Sequence, residues 1–243
     1  MIEINKSLPS NTNYFKDYYN NYRNKYEDLF SSEKYFFNQV LESSENILDV
    51  GSASGGMYEI INDLYSHISY QGVDISSELI AEARKIYPEG KFSIIDGKTL
   101  PFSNNQFDSV ISFGTTVHET NWKHLLLECF RVTKNKLLID IRLTNHPTIN
   151  SLKKGYVKDG SNIKYPYVVI NFKEFLGFLK SLKNIEIVSI YGYFGNANKD
   201  SILPKNYQEI IMASVLIEKS YLKKNLEDNQ IDLKINLPID FFV

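Results

Sequence analysis

A single cysteine, Cys129, stands in a chain of 243 residues, so no internal disulfide can staple the fold. It lies in the apolar-periodic stretch HLLLECFRV, where it reads as a small buried hydrophobe, and a reducing, cytoplasmic setting is expected. Histidine is scarce too. His118, His124 and His146, even with Glu119, keep no metal-ligand spacing, so no metal is expected. Neither sign of charge dominates: 27 Lys and Arg oppose 29 Asp and Glu, a formal net charge of −2. That balance removes the long-range attraction to phosphate on which nucleic-acid binders rely, and no nucleic-acid partner is expected. No apolar run reaches the roughly 18 residues of a membrane span, and MIEINKSLPSNTNYF lacks a basic segment followed by an apolar block. Membrane insertion and export are therefore not expected. Internal repeats and low-complexity linkers are missing as well. What is there is 43% hydrophobic and 14% aromatic, enough to bury one full core.

The pattern along the chain divides it. In residues 12 to 41, Tyr and Phe recur at three- and four-residue spacings, which predicts two amphipathic helices broken near Ser31 and Ser32, with Ser32 a cap for the second. Residues 1–45 are thus read as an N-terminal helical extension. From residue 46 strands and helices alternate. Strands are expected over 46–50, 69–75, 91–96, 107–114 and 135–143, and helices over 57–67, 77–88 and 121–133. Such alternation implies crossover connections, hence an α/β fold with a mostly parallel sheet covered by helices on both faces. Residues 144–170 include a stretch of about 25 residues without a clean period, long for a structureless connection, and are read as an insertion covering the substrate. A helix is expected over 171–182. The strands at 184–194 and 207–219, joined by a loop too short for a crossover, should form an antiparallel hairpin. The main domain is read as 46–219. The tail, 220–243, is read as an appendage packing on the domain or on a second subunit, so a homodimer is possible on this reading.

The chemistry starts at NILDVGSASGGMYEI, residues 46 to 60. A bare loop between the first strand and a helix exposes backbone amides at the carboxyl edge of the sheet, where ligands bind. Gly51, Ala53 and Gly56 keep the spacing of the dinucleotide fingerprint, but Ala stands where a glycine admits a pyrophosphate. Asp74, ending the second strand, can accept hydrogen bonds from both hydroxyls of a ribose. These features point to an adenosine-bearing ligand without choosing among the cofactors that carry one.

The segment DGKTLPFSNNQFDSVIS, residues 96 to 112, adds the decisive order of motifs. Residues 47 to 143, through ILDVGSASGG, VDIS and this segment, resemble the class I S-adenosylmethionine-dependent methyltransferases. The resemblance implies a Rossmann-like, seven-stranded sheet ending in an inserted antiparallel strand, with S-adenosyl-L-methionine as cofactor and S-adenosyl-L-homocysteine as product. It implies that Asp49, Gly51, Ser52, Ala53 and Gly55 shape the loop around the methionine part and that Asp74 holds the ribose. Ile75 would pack on the adenine, Asp96 and the Gly97 amide would read its edge, and Phe113 and Gly114 would line the path to the substrate.

A sulfonium methyl is already electrophilic, so such an enzyme mainly positions the nucleophile and excludes water; a base is needed for a hydroxyl acceptor. His118, in GTTVHETNW just past the fourth strand, is the candidate base, with Glu119 beside it. Trp122 is a candidate wall of the acceptor pocket, with Arg142, His146, Tyr156 and Tyr165 as candidate substrate contacts. Asp140 and Tyr167 lie in the same part of the chain. The acceptor expected is a small molecule or glycan, methylated at oxygen. Two alternatives stand at this stage: a non-catalytic binding subunit of the same fold, and a nicotinamide-dependent oxidoreductase, against which Ala53 and DGKTLPF both argue.

Overall fold

Apolar residues that alternate between two faces of each inner strand force helices onto both sides of the sheet. In a computed structural model of the chain, residues 23–158, 164–197, 201–207, 209–220, 231–238 and 241 are described. In chain order they form α1 (Ser31–Leu41), β1 (Asn46–Val50), α2 (Gly56–Leu64), β2 (Ser69–Asp74), α3 (Ser77–Ile86), β3 (Lys91–Ile94) and β4 (Phe107–Ser112). Next come α4 (Trp122–Val132), β5 (Thr133–Thr144), β6 (Tyr156–Lys158), β7 (Lys164–Pro166), β8 (Ile170–Asn171) and α5 (Phe172–Ser181). The chain closes with β9 (Ile185–Asn196), β10 (Ser201–Ile202), β11 (Glu209–Lys219) and β12 (Asp232–Asn236). The strands lie in the order β12, β9, β11, β5, β4, β1, β2, β3, with β8 beside the end of β5. β11 is antiparallel to both β5 and β9, and the other pairings in this sheet are parallel.

The period-two pattern sorts the core. In β5, Leu137, Ile139 and Ile141 pack with Trp122, Leu126 and Phe175 of α4 and α5. Leu138, on the opposite face, joins Phe37 and Val40 of α1 and Ile60 of α2. Cys129 is buried in the first of these clusters, and burial pushes its thiol up to about 12, so it acts as a hydrophobe. Helix starts follow their caps: the Ser76 hydroxyl accepts the Leu79 N–H at the start of α3, and the Asn171 side chain accepts the Glu174 N–H in α5.

Four expectations are modified, and one lies outside the described residues. The first of the two expected N-terminal helices falls largely in residues 1–22, outside the described residues. Ser32 lies inside α1 and does not cap it; the Phe30 N–H donates instead to the Glu33 carboxylate at 2.7 Å, an acid serving the first turn. Among the described residues the sheet has nine strands because β8 and β12 join the seven expected, the latter pairing in parallel with β9. With Leu237 and Phe241 buried in the core cluster, this part of the tail packs on its own domain; residues 221–230 lie outside the described set. The aperiodic segment 144–168 contains β6 and β7, which join β10 in a small antiparallel sheet. Strands of two or three residues are too short to print a period. Among the described residues no helix is long and apolar enough to cross a membrane.

Candidate cofactor and acceptor site

β1 has β2 on one side and β4 on the other, so the chain leaves it toward opposite faces and a crevice opens at its carboxyl end. The loop after β1 is pinned there. The N–H groups of Gly51 and Ser52 donate to the Val73 carbonyl at 2.8 and 3.0 Å. The hydroxyls of Ser112 and Thr115 donate to the Val50 carbonyl at 2.9 and 3.0 Å, tying the ends of β1 and β4 together. Gly51 has φ +85°, and a Cβ there would collide with Thr115 Oγ1, so both conformation and space demand glycine. Gly55, at φ +88°, turns the chain into α2. Ala53 takes φ 47° in spite of its Cβ.

Asp74 is buried and holds this loop: Oδ2 accepts the Ala53 N–H at 3.0 Å and Oδ1 the Ser76 N–H at 2.9 Å. Burial raises its pKa, against the pull of those backbone donors. Asp49, also buried, accepts from the Tyr70 hydroxyl at 2.6 Å and lines a cavity of about 30 Å³ with Arg23, Gly51, Ser52, Ala53, Gly56, Met57 and Phe113. Beyond this cavity the edge is open. Ile75 is 37% exposed, an apolar ledge at the end of β2, and Gly97, at φ +72°, lies against it. Asp96 is exposed, its Oδ1 accepting the Lys98 N–H at 2.9 Å, and its pKa is lowered by that bond. Asp74 and Asp96 therefore do not share one enclosed cavity: one is inside the loop and the other on the rim.

Removal from water pushes the Asp49 carboxyl up to about 7, the Tyr70 hydroxyl opposing and the Asp74 charge assisting. An acid raised in the folded state contributes stability that is complete below its unfolded value, about 3.9, and is lost as pH rises through 7. Thermal melts of Asp49→Asn and the unaltered chain should thus diverge in favour of the variant between these limits, by on the order of a few kcal/mol. A difference that stays flat from acid to alkaline pH would contradict the burial of Asp49.

Past β4, Thr116 to His118 form one 3-10 turn. His118 is partly buried, and its Nδ1 lies 2.8 Å from the Pro166 carbonyl. A carbonyl only accepts, so Nδ1 carries the proton and the lone pair of the neutral ring is on Nε2. Burial lowers the His118 pKa, Arg142 assists, and the Pro166 carbonyl and Asp140 oppose. Asp140 is buried; Oδ1 accepts the Gly114 N–H at 2.6 Å and Oδ2 binds Arg142 Nη1 at 2.9 Å. A second buried pair, Arg23 with Glu33 at 2.9 Å, stands nearby. The guanidinium carbons of Arg23 and Arg142 sit 5.4 and 5.5 Å from the Phe30 ring centre. Arg23, Phe30 and Glu33 had no motif to mark them; their only sequence signal was helical periodicity.

Several expected contacts are placed elsewhere. Trp122 is 2% exposed, packed edge-on to Phe178 in the core beneath α4 and α5, so it does not wall a pocket. Its position in α4 points it at the sheet, as its apolar neighbours Leu126 and Cys129 do. Glu119 is half-buried, and its carboxylate is taken up by the Asn121 N–H at 2.6 Å ahead of α4. Tyr165 is 2% exposed, and Tyr167 belongs to the small apolar cluster with Val117 and Met212; burial takes both rings from an open surface. Tyr156, partly buried, carries the Lys164 ammonium over its ring at 4.3 Å. His146 is exposed and lines a separate hollow of about 380 Å³ with Phe194, Glu209 and Phe241, which shares no residue with the glycine-loop cavity. Among the described residues no group of His, Cys, Asp and Glu is arranged to hold a metal.

Residues 48–138 match the sequence family described as "Methyltransferase domain". An uncharacterised protein of Methanocaldococcus jannaschii is 26% identical over 220 residues, covering 79% of this chain and 84% of its own. A demethylmenaquinone methyltransferase of Thermotoga maritima is 30% identical over 99 residues, but this chain spans only 43% of that protein. In three dimensions, an S-adenosylmethionine-dependent methyltransferase from Methanosarcina mazei aligns with TM-score 0.57 at 18% identity, over 79% of this chain and 98% of its own. At that identity the likeness speaks for the fold.

Proposed function

From the premise that this chain carries a class I S-adenosylmethionine-dependent methyltransferase domain, we propose that it transfers the methyl group to a hydroxyl of a small-molecule or carbohydrate acceptor. The observation that carries this reading is the His118 ring, held by Pro166 in the tautomer that can take a proton, just beyond the loop that fits the cofactor.

The fit to the cofactor rests on the chain's own features. Gly51 offers a backbone that a Cβ would block, Ile75 an exposed apolar ledge, and the Ser52 hydroxyl is buried without a hydrogen-bond partner. A cavity near 30 Å³ holds little more than a water-sized group, so the nucleoside belongs outside it, over Asp74, Ile75 and Gly97. Asp74 would hold the ribose, Asp96 and Gly97 the adenine edge, and Asp49 the polar end of the methionine part. When bound, the cofactor supplies an electrophilic methyl on a sulfonium.

The chain's residues then do three things. Phe113 and the Phe30 ring, with Arg23 against both, close the site against water. The Gly114 N–H, fixed by Asp140, sets the course of the chain from β4 to the turn bearing His118. His118 Nε2 takes the acceptor's hydroxyl proton; because its pKa lies below the ordinary value, the ring is neutral and able to do so at neutral pH. The net charge of −2 supports a small acceptor over a nucleic acid. The test is transfer of a labelled methyl group to a panel of hydroxyl, amine and carbon nucleophiles, read by mass spectrometry. Methylated hydroxyls are expected; methyl found only on nitrogen or carbon, or no transfer at all, would overturn the reading.

A further inference from the structure

Arg142 holds more hydrogen-bonding capacity than the fold uses. Its side chain is 8% exposed, and its Nη1 is committed to Asp140 Oδ2 at 2.9 Å and to the Ile141 carbonyl at 3.3 Å. Its Nε is buried and has no hydrogen-bond partner. A guanidinium has donors only, so the missing partner is an acceptor atom. A buried donor on a charged group left unmade is costly, and β5 could have hosted an apolar residue at this position at no such cost. Asp140 cannot turn to fill the gap, because its other oxygen is taken by the Gly114 N–H at 2.6 Å. Thr116, in the turn that ends at His118 and packs on β5, adds a second buried polar atom, Oγ1, without a partner.

The surroundings indicate the charge of what is missing. Arg142 and Arg23 share the Phe30 ring, and Arg23 also lines the cofactor cavity, so two guanidiniums are gathered on one aromatic ring beside it. The buried acids that face the two guanidiniums are already paired, Asp140 with Arg142 and Glu33 with Arg23. A neutral carbonyl would satisfy Nε, whereas an anion makes the shorter and stronger charge-assisted bond to a guanidinium.

Resting on the methyl-transfer reading above, we propose that the acceptor carries an oxyanion, a carboxylate or a phosphate ester, that docks on the Nε edge of Arg142 beside His118. Arg142 then fixes one end of the acceptor while its hydroxyl faces His118, and uncharged analogues are poor substrates.

The test uses the full chain and three probes of similar shape: benzoate, phenyl phosphate and the neutral benzamide, each titrated calorimetrically with and without saturating S-adenosylhomocysteine. At least one anion should bind at least about tenfold more tightly than benzamide, the scale of a hydrogen bond to a charged group. Benzoate alone identifies a carboxylate, phenyl phosphate alone a phosphate ester. Arg142→Met should abolish the preference and Arg142→Lys should keep part of it. Should the Met variant not fold, the discrimination in the unaltered chain and in Arg142→Lys decides. Benzamide binding as well as both anions, no anion binding, or a preference that persists in Arg142→Met would overturn the proposal. S-adenosylhomocysteine is titrated separately into the unaltered chain. Anion discrimination without binding of that ligand would keep the oxyanion site and remove methyl transfer, while the opposite result would do the reverse.

Discussion

His118→Gln is expected to lower kcat about 10²- to 10⁴-fold, the range for removal of a general base, with a much smaller change in KM. The glutamine can still donate to the Pro166 carbonyl that now accepts from Nδ1, so the 3-10 turn should survive and the loss should lie in proton transfer. The pH profile separates this from a structural effect. In the unaltered chain, activity should rise with pH as His118 deprotonates and level off below the ordinary histidine value, because burial lowers its pKa. That step should vanish in the variant, and imidazole added to His118→Ala should restore part of the rate. Retention of kcat within about threefold would remove His118 from the chemistry and favour an acceptor that needs no base.

Gly51→Val should be the most damaging change to cofactor binding. At φ +85° a β-branched residue is strained, and its Cβ meets the Thr115 oxygen that donates to the Val50 carbonyl at 3.0 Å. Either the loop moves off the end of β1 or Thr115 lets go of it. A loss of at least about 100-fold in S-adenosylhomocysteine affinity is expected, with a fall in Tm of roughly 2–12 °C from about 1–3 kcal/mol of strain and clash. The smaller Gly51→Ala should be partly rescued by Thr115→Ala, which removes the colliding oxygen but leaves the backbone strain. Full affinity in Gly51→Val would mean that the cofactor does not approach this loop.

How much of this could be seen in the sequence depended on whether a constraint was local. Gly51, Gly55 and Gly97 turned up in left-handed backbone at the ends of strands, where only small residues sit without strain, and such positions print themselves on composition. Alternation of Ile47, Leu48 and the apolar residues of β5 between two faces was equally legible, since a sheet covered on both sides leaves no polar face. Constraints between distant segments left no such mark. The Arg23–Glu33 pair looks like two ordinary charges on an amphipathic stretch until Phe30 and Phe113 are brought against it. Trp122 shows the converse: a lone tryptophan near a candidate base invites a role in binding, while the fold sets it with Leu126 and Cys129 on the buried face of α4. β12 escaped although Leu233 and Ile235 alternate with polar residues in DLKIN, because a five-residue run exposed at the sheet edge is too short to stand out from the tail around it.

The central claim is that the carboxyl edge of β1 and β2 binds an adenosine-bearing cofactor through the buried Asp74. Calorimetric titration of S-adenosylhomocysteine into the unaltered full chain and into Asp74→Ala tests it most directly. The account predicts saturable binding at one site in the first and an affinity lower by about 10- to 100-fold in the second, since the variant loses both the proposed ribose contact and the anchor of the Ala53 and Ser76 amides. Equal affinity in the two proteins, or no saturation in the unaltered chain, would contradict it.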